Sequence, residues 1–191
     1  ESYAPQPNSK PGDPKFEDVN NDGKIDADDR TIIGNANPDL IFGLTNNFAW
    51  KGFDLSIFFQ GSIGNDLLNM TRMNLEWKRT TDALNRWTPS NTNTDIPRNG
   101  FYYSQYGGYV NDHFIEDASF LRLKNLTLAY SLPQLWLKKT NFFSSARIYL
   151  QGQNLLTWTG FTGLDPEVAD NVYRAQYPSS RQFTLGVEVS F

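Results

Sequence analysis

The chain of 191 residues has no cysteine and a single histidine, His113. Without thiols there is no disulfide framework and no thiolate metal centre, and the redox compartment stays open. Cations are no more than balanced. Seventeen Lys and Arg stand against 21 Asp and Glu, for a formal charge of −4 and a pI of about 5.0. Binding a phosphate backbone takes a stripe of basic residues; none is present, so no nucleic-acid partner is expected. No apolar run approaches the roughly 20 residues of a membrane helix. The opening Glu-Ser-Tyr-Ala-Pro has neither the basic nor the apolar region of a signal peptide, and Glu1 is read as lying inside a loop. The mean hydropathy of −0.53 suggests a soluble protein. That average misleads for one class, because a membrane β-barrel alternates apolar and polar residues and so scores low.

What is present is alternation, and aromatic residues at 15% of the chain. Period two is the mark of a strand with two unlike faces. From Arg181 to Phe191, residues Phe183, Leu185, Val187, Val189 and Phe191 share one face. Gln182, Thr184, Gly186, Glu188 and Ser190 share the other. The length suits the roughly 9–11 residues of a tilted membrane strand. Phe53, Leu55, Ile57, Phe59 and Ile63 repeat the pattern, as do Leu40, Phe42, Leu44, Phe48 and Trp50. Only Lys51-Gly52 separates these two, which predicts a tight hairpin. Ala146 to Trp158 is a fourth strand and Ser119 to Leu132 a fifth. In the last, Leu121 and Leu123 are out of phase with Leu126, Leu128, Tyr130 and Leu132. One extra residue near Lys124-Asn125, a bulge, restores a common face.

The expected fold is all-β: a segment of an antiparallel transmembrane β-barrel, five strands with long extracellular loops. Connections of about two, fifty, eleven and twenty residues alternate short and long, as periplasmic turns and extracellular loops do. The expected organisation is an extracellular loop with an acidic motif over 1–38, a barrel hairpin over 39–64, a long extracellular loop with a short helix over 65–117, and three C-terminal barrel strands over 118–191. Five strands cannot close a barrel, and lipid tolerates no open sheet edge, so further strands are expected outside these residues. Asp54, Gln60, Arg147, Gln151, Gln153 and Glu188 on the polar phase suit a wet lumen. The competing reading is a secreted β-sandwich, a calcium-braced module that holds carbohydrate on Trp and Tyr.

The most specific local chemistry lies between Asp18 and Asp29. Asp18, Asn20 and Asp22 followed by Gly23 fit the start of a twelve-residue calcium loop. Hard oxygens at positions 1, 3 and 5 converge where Gly permits the sharp turn, the Lys24 carbonyl adds a ligand, and Asp26 and Asp29 fill positions 9 and 12. Asp29 is a shorter carboxylate than the Glu of an EF-hand and is similar to the loop of dockerins, which carry a second copy that this chain lacks. The expected role of Ca²⁺ is structural; the competing reading is an Asx-rich turn held by its own side chains. In the long loop a helix is predicted behind Asp66 as cap, with Leu67, Met70, Met73 and Trp77 on one face. Trp87, Tyr102, Tyr103, Tyr106 and Tyr109 are candidates for contact with a ligand or a lid, against the alternative of packing within the loop. His113 stands beside Asp112 with no nucleophile at a recognisable spacing, and no two carboxylates stand out as acid and base. No enzyme activity is expected.

Six blocks, in order, resemble the SusC/RagA type of TonB-dependent outer-membrane transporter. They are Gly12 to Asp26 with Asp29-Arg-Thr-Ile-Ile-Gly-Asn35 and Pro38; Lys51 to Gly61; Asn85-Arg-Trp-Thr-Pro89 with Asp95-Ile-Pro-Arg98; Ser119 to Leu128 with Tyr130; Gln153-Asn-Leu155; and Gly163-Leu-Asp-Pro-Glu167. The resemblance implies a barrel of about 22 strands closed by an N-terminal plug, to which this chain gives the last five strands. It also implies a multi-pass place in the outer membrane of a Gram-negative bacterium, surrounded by lipid. Import of oligosaccharides or peptides, a SusD-like surface lipoprotein as lid, and energy from the TonB complex through an N-terminal part not present here are implied likewise. The terminal Phe191 resembles the aromatic signal read by the barrel-assembly machinery.

Overall fold

The computed structural model describes residues 3–77, 80–101, 110–137 and 142–191. In chain order the strands are β1 (Leu40–Trp50), β2 (Phe53–Ile63), β3 (Asp66–Asn69), β4 (Ile115–Asp117), β5 (Phe120–Ser131), β6 (Ser145–Thr159), β7 (Val172–Tyr173) and β8 (Gln182–Ser190). Two short helices, α1 (Met70–Trp77) and α2 (Gln134–Leu137), lie between them. The chain divides into two compact units. One comprises Glu1–Asn35, Leu67–Glu116 and Asp170–Ala175, the other Ala36–Asp66, Asp117–Ala169 and Gln176–Phe191.

The second unit is built on a five-stranded antiparallel sheet in the order β1-β2-β5-β6-β8. Its long strands pair in the order in which they occur in the chain, so the alternation read along each strand becomes rows running across the sheet. Trp50, Phe53, Tyr130, Ile148 and Val187 form one such row; Phe48, Leu55, Leu128, Leu150 and Leu185 form the next. The β1–β2 turn takes positive φ at both Lys51 (46°) and Gly52 (87°). A two-residue hairpin asks for this, because that turn matches the right-handed twist of the strands.

The phase break in β5 is resolved at Lys124. Asn125 pairs with Phe58 and Leu123 with Phe59, which leaves Lys124 unmatched against β2. The extra residue lets Leu121 and Leu123 face the same way as Leu126, Leu128 and Tyr130. It also brings Arg122, Lys124 and Asn125 to one side of the sheet. Opposite, β6 accommodates the shift at Asn154, whose φ of 51° lies in the left-handed region.

The two faces of this sheet differ sharply. Along the apolar rows Leu185 is 75% exposed, Trp50 67% and Leu150 52%. Among the described residues of this unit no second sheet buries them. Burying one such side chain is worth about 1.5–3 kcal/mol, so leaving a whole face in water is costly and the face calls for an apolar neighbour. Aromatic side chains gather at the hairpin end of the sheet. Phe53 and Tyr130 have ring centroids 4.5 Å apart, and Phe142 and Phe143 lie 5.2 Å and 5.6 Å from Phe191. From Trp50 to Leu40 the strand spans about 33 Å at 3.3 Å per residue. Tilted by about 40°, that is roughly 25 Å, the height of the apolar band on a membrane barrel.

The first unit contains the small sheet β4-β3-β7, in which β3 runs parallel to β7 through Leu68–Val172 and Asn69–Tyr173. This pairing corrects the expectation of a helix from Asp66. Residues Asp66–Asn69 are extended, and α1 starts at Met70, where the Asn69 side-chain oxygen accepts the Arg72 N–H at 2.9 Å. Asn69, not Asp66, thus satisfies one of the donors left over at the helix start. Leu67, Met73, Phe101, Phe114 and Tyr173 are buried in this unit.

Candidate functional site

The face of the sheet opposite the apolar rows carries Asn47, Asp54, Ser56, Gln60, Arg122, Asn125, Thr127, Gln151, Gln153, Thr157 and Glu188, set by the same registers. Its side chains bond across strands: Gln151 donates to Asn125 at 3.3 Å, and Arg147 lies 3.9 Å from Asp54. Polar residues thus predominate on one side of the long strands and apolar residues on the other, the alternation that the sequence predicted.

On the middle strand β5, near the end of the sheet away from the β1–β2 hairpin, stands Arg122, 2% exposed. Its Nε donates to the Thr157 hydroxyl at 3.0 Å, one Nη to Glu167 at 2.9 Å and to Ser179 at 3.2 Å, and the other to Asp165. Lys124, freed by the bulge, adds a second cation 2.9 Å from Glu167. Residues 161–169 and 176–181 are thereby tied to the polar face, at Asp165–Glu167 and at Ser179. Burial alone would push the Asp165 carboxyl up. Backbone N–H groups of Ser179 and Glu167 and the Arg122 guanidinium outweigh it and hold the group below the usual carboxylate range. An ionised pair in so dry a place holds only because each hydrogen-bonding position is filled.

A second charged cluster lies in the first unit. Glu76, 2% exposed, accepts from Arg72 Nε at 2.9 Å and lies 2.9 Å from His113 Nε2. Arg72 also reaches Asp95 at 2.9 Å and the His113 carbonyl at 3.1 Å. Burial would lower the Arg72 pKa; the hydrogen bond and charge of Glu76, with Asp95 and Glu116, outweigh it and raise it. His113 therefore serves as a structural partner that ties residues 112–114 to α1. The sequence offered little signal for either cluster: Arg72 and Glu76 stand four residues apart on α1, but Asp95 lies 23 residues from Arg72 and His113 lies 37 from Glu76, and the partners of Arg122 lie 35 to 57 residues away.

In the acidic loop the side chains turn inward on the backbone. Asp18 accepts from the N–H of Asp22 and of Gly23, at 3.1 and 2.9 Å. Asn20 accepts from Asp22, Asp22 from Lys24, and Asp26 from Asp28, each at 2.9 Å. Asp29 accepts from Val19 at 2.9 Å and from Asp26 at 2.7 Å. Gly23, at φ 81°, provides the turn. The donor types and their order fit a hard cation, and the hydrogen bonds engage only one oxygen each of Asp22 and Asp26. Among the described residues, however, no three acidic or histidine side chains are grouped about a common point. Trp87 is half-buried, with its indole against Gly12 in the first unit. Tyr102, Tyr103, Tyr106 and Tyr109 lie outside the described residues.

Oily and uncovered on one side, polar and cross-bonded on the other, the large sheet has the make-up of a membrane β-barrel wall. Comparison with known proteins narrows the class. The chain is 38% identical to TonB-dependent receptor P3 of Formosa agariphila over 198 aligned residues, 96% of the chain and 19% of that relative. It is 34% identical to TonB-dependent receptor SusC of Bacteroides thetaiotaomicron, over 96% of the chain and 18% of the relative. Among solved structures it matches the RagAB peptide importer in its "closed-closed" state with a TM-score of 0.77 at 36% identity, over 88% of this chain and 19% of that one. No family model matches. The chain is homologous to TonB-dependent receptors of the SusC/RagA type and spans about a fifth of their length.

Proposed function

We propose that this chain supplies five strands and the attached loops to an outer-membrane TonB-dependent transporter that imports oligosaccharides or peptides. A SusD-like surface lipoprotein covers the extracellular mouth, and the TonB complex supplies energy through parts of the receptor outside these residues. The observation that carries the reading is the pair of unlike faces. Rows of exposed apolar side chains cross all five strands, and a continuous polar face lies behind them. Homology to receptors and importers supports it. A secreted sandwich would bury the rows on which Leu185 and Trp50 are most exposed. On the proposed topology Lys51-Gly52 and the Pro133–Phe143 turn face the periplasm, and residues 1–38, 65–117 and 159–180 face outward.

The test is biochemical. The full receptor is expected in the outer-membrane fraction, soluble only in detergent, and with a gel mobility that changes on heating. Uptake is expected to cease when TonB is removed. A monomer that stays folded and soluble without detergent overturns the reading.

Ca²⁺ is proposed as a brace for the loop from Asp18 to Asp29, held by Asp18, Asn20, Asp22, the Lys24 carbonyl, Asp26 and Asp29. The support is the donor set in its order, and the inward turn about Gly23. Calorimetric titration of the chelated receptor is expected to show one saturable site, absent in Asp18→Ala. Equal heats from both proteins remove the metal.

A further inference from the structure

The tie of Arg122 to Asp165, Glu167 and Ser179 leaves a cleft of about 350 Å³ on the polar face, lined by Asn154, Thr157, Leu164, Pro178, Ser179 and Arg181, among others. That is a small-ligand size, at the lower end of the usual 300–1,000 Å³. All of it belongs to the second unit.

Two features of the cleft point to one chemistry. First, its charges do not cancel. Arg122 and Lys124 are matched by Asp165 and Glu167, whereas Arg181 has no hydrogen-bond or ion-pair partner among the described residues. One positive charge is left over at the cleft. Second, its hydroxyls are turned into donors. Thr157 accepts from Arg122 Nε, and Ser179 accepts from an Arg122 Nη, so each has its own hydrogen to give elsewhere. Asn154 forms part of the wall: its amide nitrogen donates to the Ser180 carbonyl at 3.1 Å, and the residue is held at the bulge of β6 in a left-handed conformation. Gln153 pairs with Gln182, which sets Arg181 across from Asn154.

We propose that this cleft is a subsite for a carboxylate. The carboxylate lies on Arg181 with help from the Thr157 and Ser179 hydroxyls. A peptide C-terminus and a uronic acid both present one. The inference rests on the transporter reading and gives it a charge preference. The Arg122 pin is the positioning element, since it holds Ser179 and Thr157 with their hydrogens outward.

The experiment uses the full receptor in detergent and two pairs of probes: one short peptide with a free C-terminus and its C-terminal amide, and one glucuronate-ended oligosaccharide and its neutral glucose-ended counterpart. Calorimetry reads the affinity of each. In the wild type the charged member of one pair is expected to bind about tenfold or more tightly than its neutral twin, the usual worth of a charge-assisted hydrogen bond. The pair that shows it identifies the source of the carboxylate. Arg181→Gln is expected to abolish the preference and Arg181→Lys to keep part of it. Because Arg181 is exposed and unpaired, neither variant removes a structural contact. Equal binding within both pairs, no binding of any probe, or a preference that survives Arg181→Gln overturns the subsite. Outer-membrane location and TonB-dependent uptake are measured on the same protein, so loss of the subsite and loss of the transporter reading are told apart.

Discussion

Arg122 shows how much one side chain organises. Its guanidinium meets a strand hydroxyl, two carboxylates and a loop hydroxyl, and almost none of it reaches water. Replacing it with Met leaves Asp165 buried without its cation. Breaking a buried pair in this way costs about 3–5 kcal/mol, and the expected result is release of Asp165–Glu167 and Ser179 from the polar face while the sheet stays intact. Hydrogen exchange at the Glu167 and Ser179 amides, which donate to Asp165, measures it. The pH dependence has a definite sign. The folded Asp165 titrates below its unfolded value, so its contribution is full above the ordinary carboxylate range of about 4. It is lost as pH falls through the lower folded value. Protection of these two amides should therefore drop on acidification in the wild type, and the drop should be absent in Asp165→Asn.

Among the elements, β5 carries the most unusual instruction. Its two halves are out of phase by one residue, and Lys124 absorbs the difference. Deleting Lys124 would turn one half over, sending either Leu121 and Leu123 or Leu126 and Leu128 to the polar face, because a slip of one residue exchanges the faces. The expected outcome is a receptor that fails to accumulate in the outer membrane, whereas Lys124→Gln, which keeps the count of residues, accumulates normally. Quantitative blotting of the membrane fraction distinguishes the two. The β1–β2 hairpin needed no such device, since the turn at Lys51-Gly52 and the two strands agree in phase.

For the molecule as a whole, the energetics turn on the apolar face. It is exposed on all five strands, and β1 and β8 each have a neighbour on one side only within this sheet. If lipid meets that face, adjacent residues of β8 must respond in opposite ways to the same change. Leu185 faces the apolar side beside Leu150, and Thr184 faces the polar side beside Gln151. Leu185→Arg is expected to destabilise the inserted receptor by about 2–4 kcal/mol, the cost of an arginine at mid-membrane depth, and Thr184→Arg by far less. Urea unfolding of the receptor in lipid vesicles gives both values. Equal effects would place water, or protein, on both sides of the sheet.

Much of the sheet was legible in the sequence because a strand writes its two environments in single-residue alternation. Phe183, Leu185 and Val187 needed no partner to show which side they would share. Even the bulge at Lys124 was a local phase error, visible without knowing its neighbours. The helix start was not, because Asp66–Asn69 becomes a strand by pairing with Val172–Tyr173, a contact a hundred residues away that leaves no periodic trace. For the same reason the tie of Arg122 to Asp165, Glu167 and Ser179, and the meeting of Arg181 with the Thr157 and Ser179 hydroxyls in one cleft, emerged only in three dimensions. Pattern fixes which face a residue joins; a charge meeting its counter-ion depends on how distant segments fold back, and that information is spread over the whole chain.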